Sequence, residues 1–358
     1  MDDKLKKRIE LRKDEGSFRE LTLKKGSIDF FSNDYLGLAR EKPSPSQIPE
    51  GSSGSRLLSG NSIQAMDCEE RLSSFYDSED AIVYNSGYDA NVGFISSVAQ
   101  RGDYILYDEH IHASIRDGIR LSYAKAYSFR HNDLDDLERQ LEKMNGTIYI
   151  MVESIYSMDG DMAPLGGMQA LVKKFGAYLI VDEAHAVGVY GDSGRGIVHA
   201  RGMQKDVFAR TITFGKAYGY HGAAILCAKE LKEYLVNFSR SFIYSTALPV
   251  ASYTTIINRV EIDIIKERQK MLHDNIYHFR NGLKSFDFLS EENSPIQVIQ
   301  FQNRDKLMNL VEKILKSGIY TKPILPPTVP KGSYRLRLCI HSFNSKNEID
   351  LLRSCLSN

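Results

Sequence analysis

The chain has 358 residues, 42% of them hydrophobic, with 46 lysines and arginines balancing 46 aspartates and glutamates. That length suits about two domains, and the balanced charge lacks the basic excess expected of a nucleic-acid-binding surface. The four cysteines (Cys68, Cys227, Cys339, Cys355) form no CxxC pair, so no disulfide framework is expected and a reducing, cytoplasmic setting is predicted.

The opening stretch MDDKLKKRIELRKDEG predicts a charged helix over residues 2–15. It has no apolar h-region and so is not read as a signal peptide. No part of the chain approaches the roughly 18 apolar residues of a membrane helix. FRELTL and SIDFFS predict short strands, and REKPSPSQIPEGSSGS, rich in Pro, Ser and Gly, predicts a loop.

From residue 61 the pattern alternates. IQAMDCEERLSSF has helical spacing, AIVYNSG is a buried strand running into Ser86-Gly87, and ANVGFISSVA is a helix. YILYD and HASIRDGIRLS repeat strand and helix, and DLDDLERQLEKM is an amphipathic helix capped by Asp133. TIYIMVES, LGGMQALVKKFG and AYLIVDEA read as strand, helix and strand. Apolar strands separated by helices predict an α/β fold, with a largely parallel sheet covered on both faces. Ligands in such sheets sit beyond the carboxyl ends of the strands. Ser86-Gly87, Glu153, Asp182 and Lys216 all fall at or just past such ends.

After residue 247 the order changes. A long helical region over 249–284 is followed by strand IQVIQF, helix DKLMNLVEKILKSG, the segment PILPPTVP, strand SYRLRLCI and helix NEIDLLRSCL. This order predicts a smaller α+β domain. The expected division is an N-terminal arm over 1–48, a large domain over 49–262 and a C-terminal α+β domain over 263–358.

In TITFGKAYG, Lys216 follows an apolar run and adjoins glycine and aromatic residues. A lone lysine is most often a surface group. One held away from water has a lowered pKa and becomes a good amine for a Schiff base. Asp182 ends the apolar run YLIV, where an ionised carboxylate needs a partner, and His185 follows three residues on. A lysine for an aldehyde and a carboxylate for a pyridine nitrogen are what pyridoxal 5'-phosphate (PLP) asks of a protein. His112, in HIHASI, supplies an imidazole to stack on the ring. Taken singly, Asp182 is equally a strand-end residue, His185 a core histidine and His112 a helix-start residue.

Asp108, His110 and His112 form a DxHxH cluster. Without a Cys partner or an HExxH helix this is a weak metal signature, and no metal is expected. GSSGSRLLSG and GDSGRG match neither the dinucleotide fingerprint nor the P-loop. In NSGYDAN a strand passes through Ser-Gly into a helix whose first amides suit a phosphate.

Several segments together carry a family resemblance: FSNDYLGLA, GSSGSRLLSGN, SGYDAN, IHASI, ESIYSMDGDMAPL, VDEAHAVGVYGDSGRG, TFGKA, IYSTALP and PPTVPKGSYRLRL. In that order, over most of the chain, they resemble the α-oxoamine synthases, PLP enzymes of fold type I (aspartate-aminotransferase-like). The resemblance implies a catalytic set of Lys216, His112, Asp182 and His185. Lys216 would bond the cofactor aldehyde, Asp182 would face the pyridine nitrogen and His185 the ring 3-oxygen, with His112 stacked on the ring. The backbone of Gly87 and Tyr88, with Thr213, would hold the phosphate, and Ser157 would touch the cofactor. Thr246 would reach the phosphate from a partner subunit, since family sites lie at a homodimer interface. Arg337 would take the amino-acid carboxylate on its planar fork, and Arg19, Asn33, His112 and Thr328 would contact substrate.

TFGKA and IYSTALP are most similar to family members that join L-alanine to a pimeloyl thioester, on CoA or a carrier protein, in biotin biosynthesis. DEAHAVGVYG is also similar to glycine-using members. An aminotransferase shares the fold and the Asp–Lys pair but not this set of segments. A binding subunit that has lost catalysis is the remaining alternative, and the retained Lys216, Asp182, His112 and His185 argue against it.

Overall fold

The computed structural model describes residues 3–16, 18, 27–41, 48–283, 286–326, 328–330 and 332–357. Arg19 and all but the first residue of FRELTL lie outside the described residues. In chain order the first half contains α1 (Asp3–Asp14), β1 (Ile28–Asp29), α2 (Ile63–Phe75), β2 (Asp80–Tyr84), α3 (Gly87–Val98), β3 (Tyr104–Asp108), α4 (Ala113–Leu121), β4 (Lys125–Phe129), α5 (Leu134–Leu141) and β5 (Ile148–Glu153). Then come α6 (Leu165–Phe175), β6 (Tyr178–Asp182), α7 (Gly196–Ala200), β7 (Ala209–Thr213), β8 (Ala223–Cys227), α8 (Lys229–Phe238), α9 (Arg240–Ile243), α10 (Val250–Val260) and α11 (Ile265–Arg280). The chain closes with β9 (Ile296–Phe301), α12 (Arg304–Lys316), β10 (Ile319–Tyr320), β11 (Lys322–Ile324), β12 (Tyr334–Cys339) and α13 (Lys346–Ser357). No described helix is long and apolar enough to cross a membrane.

The chain forms two compact units: Met1–Asn33, Met158–Gly160 and Leu272–Asn358 in one, Asp34–Ser157 and Asp161–Met271 in the other. Residues up to Asn33 thus group with those from Leu272 on. The reason is local. Ile28 pairs in parallel with Ile319, and the Cys339 amide donates to the Phe30 carbonyl at 2.9 Å. These bonds make the end of the arm part of the C-terminal unit.

The larger unit is built on a seven-stranded sheet of order β2-β8-β7-β6-β5-β3-β4. Only β8 runs against its neighbours; the other pairs are parallel. Its inner strands are apolar and buried along their length, as in IYIMVE and AAILC, which requires cover on both faces. One face packs Ile82, Met151, Ile180 and Ile225 against Phe94 of α3 and Ile115 of α4. Caps set where helices begin: Ser62 accepts from Ala65, and Asp133 from Asp136, as the sequence predicts for the latter. Gly176, at φ 64°, ends α6 in the left-handed conformation.

Three elements depart from expectation. KAYSF forms β4 at the sheet edge, mostly exposed with only Phe129 buried; a polar edge strand lacks the apolar run of a central one. The helical region over 249–284 is two helices, α10 and α11. The helix placed at ANVGFISSVA begins earlier, at Gly87, with Ser86 as its cap. In the smaller unit β11, β12 and β9 form an antiparallel sheet.

Asp182 and Glu183 are adjacent and both buried, but successive residues of an extended chain point to opposite sides. Glu183 turns away from Asp182's partners. Its Oε1 accepts the Ile197 and Val198 amides at 2.7 and 2.9 Å, and its Oε2 accepts Arg210 Nε and Nη2 at 2.9 and 2.6 Å. Arg210 also donates to the carbonyls of Tyr76 (3.1 Å) and Arg195 (2.8 Å). Breaking one side of a buried pair leaves an uncompensated charge. Arg210→Met is expected to lower the unfolding free energy by about 3–5 kcal/mol, read by urea denaturation at neutral pH; an unchanged midpoint would show that Glu183 does not need its partner.

Candidate active site

The carboxyl end of the sheet gathers most of the residues singled out in the sequence. Asp182 ends β6, in register with Glu153 of β5 and Thr211 of β7. Side chains two apart on a strand share a face, so Thr211 and Thr213 lie on the same side of β7. Asn91, one helical turn into α3 from Gly87, reaches that side.

Asn91 joins these groups. Its Oδ1 accepts the Thr211 hydroxyl at 2.8 Å, and its Nδ2 donates to Asp182 Oδ2 at 2.8 Å and to Ser114 Oγ at 3.0 Å. Asp182 Oδ1 accepts the Ala184 amide at 2.9 Å. The Ser114 hydroxyl stands 2.7 Å from His112 Nδ1, which also accepts the Ser114 amide at 3.2 Å. With Nδ1 accepting, the proton of a neutral imidazole sits on Nε2. Burial lowers the His112 pKa; Lys216 acts in the same sense and Asp182 opposes it. On the other side, His185 Nδ1 is 2.8 Å from the hydroxyl of Tyr35, a fully buried residue.

The start of α3 is open. A methyl group added at Gly87 would meet only Thr213, at 3.9 Å. Thr213 Oγ1 accepts the Gly215 amide at 3.3 Å, and the Thr246 carbonyl accepts Asn85 Nδ2 at 2.9 Å. Thr246 of the same chain therefore lies beside the segment entering α3. The Tyr88 ring is half exposed, its hydroxyl on Asp117 Oδ2 at 2.5 Å. Ser157 is partly exposed in the turn closed by the Ile155–Met162 bridge.

These groups fit PLP. An open helix N-terminus with a neighbouring hydroxyl suits a phosphate. Asp182 has one donor on each oxygen and so retains acceptor capacity for a pyridinium. Lys216, whose charge acts on both His112 and Glu153, is placed where it would supply the amine. In the smaller unit Arg337 is buried and donates through Nη2 to Asn33 Oδ1 at 3.0 Å. Two of the expected substrate residues are thus brought together. Thr328 is exposed beyond β11, and Arg19 lies outside the described residues.

The model of the aminotransferase class I and II family matches residues 25–353. The chain belongs to that family, in its α-oxoamine synthase branch. The 8-amino-7-oxononanoate synthase of Emericella nidulans is 37% identical over 97% of this chain and 93% of its own. A serine palmitoyltransferase from S. paucimobilis, solved with bound PLP and myriocin, superposes with a TM-score of 0.87 at 27% identity, covering 99% of this chain and 96% of that one. The 8-amino-7-oxononanoate synthase of Francisella tularensis does so at 0.78 and 29%, covering 92% and 97%. This α-oxoamine synthase is accordingly a PLP-dependent acyltransferase of fold type I.

Four residues tied into this cluster by hydrogen bonds are not individually marked out by any sequence pattern: Asn91, Ser114, Thr211 and Tyr35. Asn91 and Ser114 stand inside quoted segments, SGYDAN and IHASI, and their spacing from Gly87 and His112 is the signal available. Tyr35 is 150 residues from its partner, and no local pattern pairs them. Asn91→Ala would leave buried polar atoms of Asp182, Ser114 and Thr211 without this partner. It is expected to cost about 1–3 kcal/mol of unfolding free energy and to weaken PLP retention, measured by denaturation and by equilibrium dialysis.

The DEHIH segment has a structural role. His131 bridges Asp108 Oδ1 (2.8 Å) and Asp161 Oδ2 (2.7 Å), and Asp108 also accepts the His110 and Asn132 amides. Burial works against the imidazolium, but the two carboxylates outweigh it and raise the His131 pKa to about 10. A folded-state pKa above the unfolded value of about 6.5 stabilises fully below that value, and the contribution is lost as pH rises through about 10. Wild-type stability is therefore expected to decline between about pH 7 and 10 more steeply than that of His131→Gln, in thermal melts run across that window.

Proposed function

We propose that this α-oxoamine synthase condenses L-alanine with a pimeloyl thioester, on CoA or a carrier protein, releasing CO2 and the free thiol and forming 8-amino-7-oxononanoate for biotin synthesis. The observation that carries the reading is the near-full-length likeness to 8-amino-7-oxononanoate synthases, in a chain that keeps every group the chemistry asks for.

PLP supplies the aldehyde and the electron-withdrawing pyridinium. Lys216 would hold the cofactor's aldehyde carbon and would serve as the base toward the α-proton of the amino acid. Asp182, oriented by Asn91 and the Ala184 amide, would pair with the ring nitrogen. His112, its orientation set by Ser114, would stack on the ring and also meet substrate. His185, held by Tyr35, would face the 3-oxygen. The Gly87 and Tyr88 amides and Thr213 would hold the phosphate, and Ser157 would add a cofactor contact. Arg337, pre-oriented by Asn33, binds the amino-acid carboxylate, and Arg19 and Thr328 complete the substrate contacts.

A homodimer suits the surface. Leu58 and Ile63 are each 82% exposed and Met66 58%, an apolar stretch of the kind that a partner covers. Thr246 of the partner subunit would then reach the phosphate. The four cysteines are free and buried, which suits a reducing cytoplasm.

The test is the near-visible absorption of the PLP-loaded protein, titrated separately with L-alanine, glycine and L-serine, followed by a pimeloyl-thioester assay for released thiol. A saturable alanine response stronger than the other two, with product dependent on pimeloyl thioester and abolished in Lys216→Ala, is expected. A dominant glycine or serine response would move the substrate to another member reaction. Absence of any Lys216-dependent band would defeat the catalytic reading.

A further inference from the structure

Glu153 ends β5 and is 3% exposed. It stands in register with Asp182 on the neighbouring parallel strand, so two carboxyl groups share one buried end of the sheet. Their partners are unequal. Asp182 takes the Asn91 amide and the Ala184 N–H. Glu153 lies near the backbone N–H of His112, which acts to lower its pKa, and its Oε1 has no hydrogen-bond partner.

The charges acting on Glu153 are also unequal. Asp182 and Asp108 are negative and Lys216 is positive. Burial, with Asp182 adding to it, pushes the Glu153 carboxyl well up, while Lys216 and the His112 amide oppose the rise. Two adjacent buried carboxylates do not both ionise readily, and the one with more donors keeps the charge. A bare buried O–H costs far less than a bare buried charge.

We propose that Glu153 is held as an uncharged carboxylic acid and acts as a positioning residue for His112. Its unprotonated oxygen accepts the His112 N–H at the first position before α4, and the proton sits on Oε1. His112 caps that helix through Nδ1 and the Ser114 amide, so backbone and ring are each tied at one residue. The neutral acid leaves the negative charge beside the pyridinium position to Asp182. The positioning role rests on the PLP reading of the site; the uncharged state does not.

The infrared spectrum of cofactor-free protein tests the state. A protonated-carboxyl C=O stretch is expected in the wild type at neutral pH and absent from Glu153→Gln. If the two spectra match in that region, the uncharged state is overturned whatever the enzyme does. The role is tested by turnover with L-alanine and thioester. Glu153→Ala is expected to lower kcat by ~100-fold, as misplacement of a reacting group does, with KM for alanine little changed. Glu153→Gln, neutral and of the same shape, is expected to recover most of the loss and the wild-type circular dichroism of the bound cofactor. A Gln variant as impaired as the Ala variant, or an Ala variant as active as wild type, would overturn the role. If the infrared band is present but no PLP binds to the wild type, the functional reading fails and the role with it, while the protonation state stands.

Discussion

The pairing of Glu183 with Arg210 is the constraint from which the rest of the larger unit follows. Glu183 follows directly on β6, and Arg210 is the second residue of β7, so their bonds set where the two central strands lie along each other. The same pair reaches the amides of Ile197 and Val198 and the carbonyls of Tyr76 and Arg195. A charged pair at 2% and 0% side-chain exposure is tolerable because nearly every donor and acceptor around it is used. With β6 and β7 held, Asp182, Thr211 and Thr213 arrive at the carboxyl edge together, and Lys216 follows three residues later.

Three buried acids stand within this small region, and their donors separate their roles. Glu183 has a guanidinium and two amides and is structural. Asp182 has one amide N–H and one carboxamide N–H, which leaves acceptor room for a cationic ligand. Glu153 lies near one backbone N–H, that of His112, and its Oε1 is without a partner. Residue type is the same or nearly so in all three; hydrogen-bond supply makes the difference.

His112 and His131 make the same point for imidazoles. His112 accepts from Ser114, and desolvation together with the charge of Lys216 lowers its pKa, against the pull of Asp182. His131 lies between two carboxylates and is held charged. Only His112 belongs to the Asp108–His112 cluster of the sequence; Asp108 itself pairs with His131 and accepts two backbone amides.

Much of this molecule was legible in the chain. Apolar runs marked the central strands because a parallel sheet buries both faces, and Asp133 marked a helix start because its side chain satisfies an orphan amide. Asp182 and Lys216 stood out because charged residues at the ends of apolar runs need a reason to be there. The family segments named the chemistry. What the chain could not show is pairing at a distance. The strand order, the reversed direction of β8, the joining of the arm to the C-terminal unit and the contacts of Tyr35 with His185 and of Glu183 with Arg210 all join residues far apart in sequence, where no period or spacing operates. Sequence by itself determined which groups were supplied and in what kind of element. Tertiary structure alone decided which of those groups are charged, because charge in a buried site depends on neighbours that only folding brings within hydrogen-bond range.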